Sequence, residues 1–194
     1  LCFTAFKPHE NVTMSIEGNH VIIKGPAEEC IIITFPQGCS LSTNGKNYTS
    51  ILPQGPHDAT IVLSMLLPGD RQNVQQLFAE TLLGKYKETE TANSNRWNGY
   101  INKVLREDMP TKYNRVAVKS IVTLISNWRA QRGGLLHDGI VPSHAIGYFV
   151  GCWAWDCWRF SAAMAHFFPK LAKDNIRVMF DYQQADGMVI DCIY

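Results

Sequence analysis

The sequence predicts a multi-domain chain of mixed β + α class: part of an antiparallel β-sandwich at residues 1–69, a helix and linker at 70–95, and a helical domain at 96–194. Three observations predict it. Up to Gly69, short runs rich in β-branched residues are separated by turn residues. From Asp70 onward, apolar residues recur at helical steps instead. The helices of the second half alternate with long loops, as in helical hairpins stacked around an axis.

In the β-part, residues 11–16 alternate, with Val12, Met14 and Ile16 on one face. Glu17-Gly18-Asn19 reads as a turn, and residues 20–24 and 30–35 as strands, the second a continuous apolar run that implies burial on both faces. Asn44-Gly45 is a strong hairpin signal, because both central residues of such a turn must accept positive φ. Residues 60–67 give a last strand before Pro68-Gly69, too few strands for a complete sandwich. Asn11-Val12-Thr13 and Asn47-Tyr48-Thr49 match the glycosylation acceptor pattern, a triplet that arises often by chance.

Asp70 is placed to cap a helix running to Leu83, with Gly84 as its stop. Residues 85–95 are polar and read as a linker; residues 96–106 form a helix with Trp97, Tyr100, Ile101 and Val104 on one side. The clearest helix spans 114–132, where Val118, Ile121, Val122, Ile125 and Trp128 recur at helical steps and Gly133-Gly134 ends it. A long irregular connection over 135–151 carries His137-Asp138-Gly139 and Pro142-Ser143-His144. A helix over 156–168 follows, then one opened by Pro169 and reaching about residue 184. Asp186-Gly187 turns the chain into a final apolar segment. A helical domain left open there exposes an apolar edge, so a fragment, or one piece of a larger molecule, is expected.

Composition narrows the function. Hydrophobic residues are 46% and charged residues 18%, a globular balance. A net charge of +1 gives no electrostatic reason to expect nucleic acid or an anionic membrane as partner. The longest apolar run, 145–155, contains Gly147 and Gly151 and is too short to span a bilayer. Residues 1–6 have neither a basic leader nor a full apolar region, so they are not expected to form a signal peptide. Six cysteines permit disulfides, but the chain is not small and cysteine-dense; Cys152 and Cys157 read as buried thiols, and their spacing with His166 matches no standard zinc pattern. No Gly-rich phosphate loop with its lysine occurs, and no Ser or Cys nucleophile has an identifiable base partner.

The stretch that organises the helical half is residues 151–160. Trp153, Trp155 and Trp158 fall within six residues, with Asp156 among them. A tryptophan buries a large flat surface and carries one N–H that needs a partner. The cluster is either core with an N-capping Asp, or an aromatic floor with a carboxylate, which suits the C–H faces and hydroxyls of a sugar. Trp153 and Trp158 read more as packing, with ring N–H groups that need backbone acceptors. Asp138 reads as a turn residue or a pocket-lining one. Arg159 could pair with Asp156 or with Asp138.

These residues continue into a longer pattern. Ala117-Val118-Lys119, Leu124-Ile125-Ser126-Asn127-Trp128-Arg129, Leu135-Leu136-His137-Asp138-Gly139, Pro142-Ser143, and Trp153-Ala154-Trp155-Asp156-Cys157-Trp158 follow in order. Met164-Ala165-His166-Phe167, Leu171-Ala172-Lys173-Asp174-Asn175-Ile176-Arg177 and Gly187-Met188-Val189-Ile190-Asp191 extend it. The succession resembles glycoside hydrolase family 63, nearest its bacterial α-glucosidase-like branch. It covers residues 97–194 well and the β-part only in general character. The Trp-Asp element is shared with the related trehalases, and the Leu-Leu-His-Asp-Gly loop makes the likeness more specific.

The resemblance implies an N-terminal β-sandwich joined to an (α/α)6 barrel, of which this chain holds the first helices, and hydrolysis of α-glucosidic bonds with inversion. It implies no cofactor, no metal in the chemistry, and a bacterial protein of periplasm or cytoplasm. Trp155 and Asp156 then line the −1 sugar site, the ring as a wall and the carboxylate on hydroxyls, and Asp191 falls where a further sugar-contacting residue is expected. Asp138 and Trp153 complete the substrate-binding candidates. Inversion needs a general acid and a general base about 6.5–9.5 Å apart. In the family both come from later barrel helices, so no catalytic residue is assigned here and the chain alone is expected to be inactive. The expected partners are an oligosaccharide substrate and the remainder of the barrel. The competing expectation is a glycan-binding or structural module without catalysis.

Overall fold

The structure, a computed structural model, describes residues 2–3, 11–26, 29–53 and 59–194. Apart from the backbone of 2–3, the segment tested for a leader lies outside the described residues. The chain divides into two compact units, Leu1–Thr91 and Ala92–Tyr194.

The first unit contains β1 (Cys2–Phe3), β2 (Thr13–Glu17), β3 (His20–Lys24), β4 (Cys30–Thr34), β5 (Ser40–Thr43), β6 (Tyr48–Ile51), β7 (Val62–Leu66) and α1 (Gln72–Leu83). A four-stranded antiparallel sheet has the order β2-β3-β4-β7, and a three-stranded one the order β1-β6-β5. Period-two alternation sorts the side chains. Met14, Val21, Ile23 and Ile33 share a cluster with Phe35 and Tyr48, and Val12 and Ile16 pack against its margin. Ile22, Cys30, Ile32 and Leu66 form the cluster on the opposite face, and α1 packs along β4 and β7.

Polar contacts fix α1. His20 is buried, with Nδ1 2.9 Å from Thr34 Oγ1 and Nε2 3.2 Å from Glu80 Oε1. Gln72 and Gln76 both donate to Glu17 Oε2.

The β5–β6 hairpin forms at Asn44-Gly45, but its connection is four residues, not two. Thr43 pairs with Tyr48, Gly45 takes φ 85°, and Asn44 Oδ1 accepts the N–H groups of Lys46 and Asn47. Asp70 does not cap α1. Its carboxylate accepts the Leu67 N–H at 2.7 Å, closing the preceding turn, and the helix begins at Gln72.

The expected linker is helical. Residues 85–95 fall almost wholly within α2 (Tyr86–Val104). Its first turns are polar on every side, so they lack the apolar stripe by which a sequence announces a helix.

The second unit holds the rest of α2, then α3 (Asn114–Ser126), β8 (Trp128–Arg129), β9 (Gly139–Ile140), β10 (Cys152–Trp153), α4 (Ala154–Met164), α5 (Pro169–Phe180) and β11 (Cys192–Ile193). The helix expected to reach residue 132 ends six residues earlier, at Ser126. The Asn127 N–H returns to Thr123 and Leu124 carbonyls, its own carbonyl accepts the Val141 N–H, and Trp128 and Arg129 then pair with Ile140 and Gly139. The connection over 135–151 is therefore not only loop: it contains one short strand, β9, which pairs with β8, and a 3-10 turn over Gly147–Phe149. The helix expected at 156–168 starts two residues earlier and ends at Met164, and the one opened by Pro169 ends at Phe180.

Two clusters hold this unit: Tyr100, Ile121, Ile125, Ile140, Met164, Phe167, Leu171 and Ala172, with Trp128 packed against them, and Val141, Cys152, Cys157, Val178 and Met179. Tyr100 stacks on Phe168 at 5.2 Å and meets Phe167 edge-on at 5.8 Å.

Candidate functional site: the start of α4

The site is built where β10 passes into α4. β10 pairs antiparallel with β11, Cys152 opposite Ile193 and Trp153 opposite Cys192. One residue further, the Ala154 N–H donates to the Asp191 carbonyl at 2.8 Å. An amide of the first helical turn, which has no partner within the helix, is satisfied in this way. The same contact brings residue 191 to the head of the helix that carries Trp155 and Asp156.

Trp155 is 66% exposed, so this ring is not core. The Arg159 guanidinium, one turn along the helix, lies 5.5 Å from the ring centroid, a cation–π contact. Asp156 sits in the first turn of α4 and is half-buried. It is not the N-cap, a position taken by Trp153 without a side-chain cap. Burial pushes the Asp156 carboxyl above the usual carboxylate range, and the Trp155 N–H and the Arg159 charge offset part of the push.

A proton held more tightly in the folded than in the unfolded state favours folding in acid, and that contribution is lost as pH rises through the ordinary carboxylate range to the raised value. Asp156→Asn is therefore expected to raise the thermal midpoint at neutral pH and to leave it unchanged in acid. Calorimetry at the two pH values checks this, and equal shifts at both would exclude a buried carboxylate as the cause.

Trp153 packs as expected. Its ring N–H donates to the Tyr148 carbonyl at 3.2 Å, and its ring meets Phe149 and Tyr194 edge-on, each at 6.4 Å. The Tyr194 hydroxyl donates to the same carbonyl at 2.8 Å. Trp158 is exposed and lies against Phe180 at 6.1 Å. Asp191 is exposed, and it is its carbonyl, not its carboxylate, that accepts the Ala154 N–H.

Asp138 serves the backbone. Its Oδ1 accepts the Gln131 N–H at 2.6 Å, and Oδ2 lies 3.8 Å from Lys170 Nζ. His137 Nδ1 meets both oxygens of Asp181, at 2.9 and 2.8 Å. The His-Asp-Gly loop is thus anchored at both side chains, which favours the turn reading of Asp138. Arg159 chooses neither of its two expected partners as a direct ion pair; it stacks on Trp155, and its charge is felt at Asp156.

Behind the site, Asn175 is fully buried. Its Nδ2 donates to the Cys157 carbonyl at 3.0 Å and to Ser161 Oγ at 2.9 Å, while Oδ1 accepts the Ile140 N–H at 2.7 Å. It locks α5, α4 and β9 together. Cys152 and Cys157 are buried, as expected; the shared hydrogen bond with Cys152, together with burial, holds the Cys157 thiol well above its usual range. Cys30, Cys39, Cys152, Cys157 and Cys192 are all free thiols. Among the described residues, no three His, Cys, Asp or Glu side chains gather to hold a metal ion, and no helix is long and apolar enough to cross a membrane.

Sequence reasoning missed Asn175 and the aromatic pair Tyr148-Phe149. For the pair a signal existed, two aromatics in a glycine-flanked loop immediately before the Trp stretch. For Asn175 there was none, since an Asn at the middle of a helix carries no mark of what it meets. No known protein-family model matches the chain.

Proposed function

We propose that this chain is the front portion of an inverting α-glycosidase of the family 63 type, acting on glucose-containing oligosaccharides and contributing part of the −1 sugar site. The observation that carries the reading is Trp155, 66% exposed, with a half-buried carboxylic acid beside it in the same helical turn. A core role asks for a buried ring; a sugar wall asks for an open ring face and a nearby hydroxyl-binding carboxylate.

Two features support the architecture. On β7, Leu63 and Met65 are 68% and 63% exposed, as expected of part of a larger sandwich. The α4–α5 hairpin, on which Trp158, Ile176 and Phe180 are exposed, suits the opening of an (α/α)6 barrel. The general acid and base belong, on this reading, to later barrel helices. Asp138, Asp156 and Asp191 are binding or structural groups.

The test uses the chain as it is. Maltose is titrated while tryptophan fluorescence is followed. Saturable quenching is expected, abolished in Trp155→Ala and weakened about tenfold or more in Asp156→Ala, the loss of hydrogen bonds to a charged group. No hydrolysis is expected. Titrations indistinguishable among the three proteins would overturn the sugar site, leaving a structural module; hydrolysis by this chain would overturn the placement of the acid and base.

A further inference from the structure

A cavity of about 450 Å³ opens in the second unit beside the β10–β11 ladder, bordered by Arg129, Arg132, Tyr182, Cys192 and Tyr194. Its volume lies within the roughly 300–1,000 Å³ typical of small-molecule sites. The charged side chains on its wall are two guanidiniums, and no carboxylate side chain lines it.

Arg129 is the telling group. It is half-buried on β8. The carboxylates with partners in this unit are committed elsewhere: Asp108 to Arg106, Asp138 to Gln131 and Lys170, Asp174 to Lys170 and Arg177, Asp181 to His137, and Asp186 to the Met188 N–H. Among the described residues Arg129 has no acidic partner. Taking a charge partly out of water costs free energy unless a counter-charge offsets it. A guanidinium offers a planar fork that an oxyanion meets with two parallel hydrogen bonds. The walls are already fixed: the Tyr182 hydroxyl donates to the Gly134 carbonyl and the Tyr194 hydroxyl to that of Tyr148.

We propose that this cavity binds a small molecule through a carboxylate or phosphate group held by the fork of Arg129. The site is independent of the sugar reading of Trp155 and Asp156.

Cys192, half-buried on the cavity wall, supplies the readout. The chain is alkylated with iodoacetamide in phosphate, acetate or chloride at one ionic strength, and the label on Cys192 is located by peptide mass mapping. Phosphate or acetate is expected to slow alkylation saturably and chloride is not. Protection by phosphate alone identifies phosphate esters as the ligand class; protection by acetate identifies carboxylates. Arg129→Gln is expected to weaken the protecting anion about tenfold or more, and Arg129→Lys, which keeps the charge but not the fork, to weaken it as well. Equal protection by chloride, or an unchanged midpoint in Arg129→Lys, overturns the proposal even if Arg129→Gln does not fold.

Discussion

Asn175→Ala is expected to lower the stability of the second unit by about 3 kcal/mol or more. The amide makes three hydrogen bonds from a fully buried position. Truncation leaves the Ile140 N–H, the Cys157 carbonyl and the Ser161 hydroxyl together without their partner. A buried polar group left unsatisfied costs about 1–3 kcal/mol, more than a hydrogen bond contributes net when both partners are present. Asn175→Asp is the sharper control. It keeps an acceptor for Ile140 but loses both donors and adds a charge at a fully buried position, so it is expected to be no better than alanine. Denaturant unfolding of each variant gives the comparison. A loss below about 1 kcal/mol in Asn175→Ala would mean that α4, α5 and β9 are held by apolar packing alone.

Gly151→Ala is expected to cost about 1–3 kcal/mol by overpacking, and its rescue distinguishes two kinds of close approach. A Cβ built at Gly151 falls 2.5 Å from Cys192 Sγ, 2.9 Å from the Ile193 carbonyl oxygen and 3.1 Å from Tyr194 Cδ1. A Cβ at Gly139 falls 2.7 Å from Cys152 Sγ, with its next neighbour at 3.7 Å. Adding Cys152→Ala to Gly139→Ala therefore removes the one offending atom, and most of the lost stability is expected to return. Adding Cys192→Ala to Gly151→Ala leaves the Ile193 backbone in the way, and only part is expected to return. Thermal midpoints of the four proteins decide it; full rescue at both positions would mean that β11 is free to shift away from β10.

The β-part was legible because its signal is local. In β2 through β4 each second residue faces the same cluster, and alternation in the sequence translates directly into faces of a sheet. The helical half was legible in kind but not in boundaries. Trp128 continues the apolar period of α3 and does pack on the same cluster, yet it arrives there from a strand. Periodicity records which residues reach the core, not which backbone carries them. The turn at Asn127 is decided by its pairing with Val141 and Pro142, partners far along the chain. Asp70 was misjudged for a related reason: an Asp before a helix can satisfy the turn behind it as readily as the helix ahead.

The candidate site divides in the same way. Trp155 and Asp156 stood out by residue type and spacing, and the openness of the Trp155 ring is what separates it from Trp153, whose N–H is bonded and whose ring meets two other aromatics. Arg129 carried no mark in the sequence, because its interest lies in the acid it does not meet. Such an absence exists only in three dimensions.

The bond from the Ala154 N–H to the Asp191 carbonyl has a consequence for motion. It joins the first residue of α4 to a residue beyond the end of α5, so the two helices form a loop tied at its base. With Asn175 fastening the same helices midway, their local opening becomes all-or-none rather than a fraying from either end. Amides at the base and at the middle of the hairpin then open with one common free energy, the behaviour of a single cooperative unit.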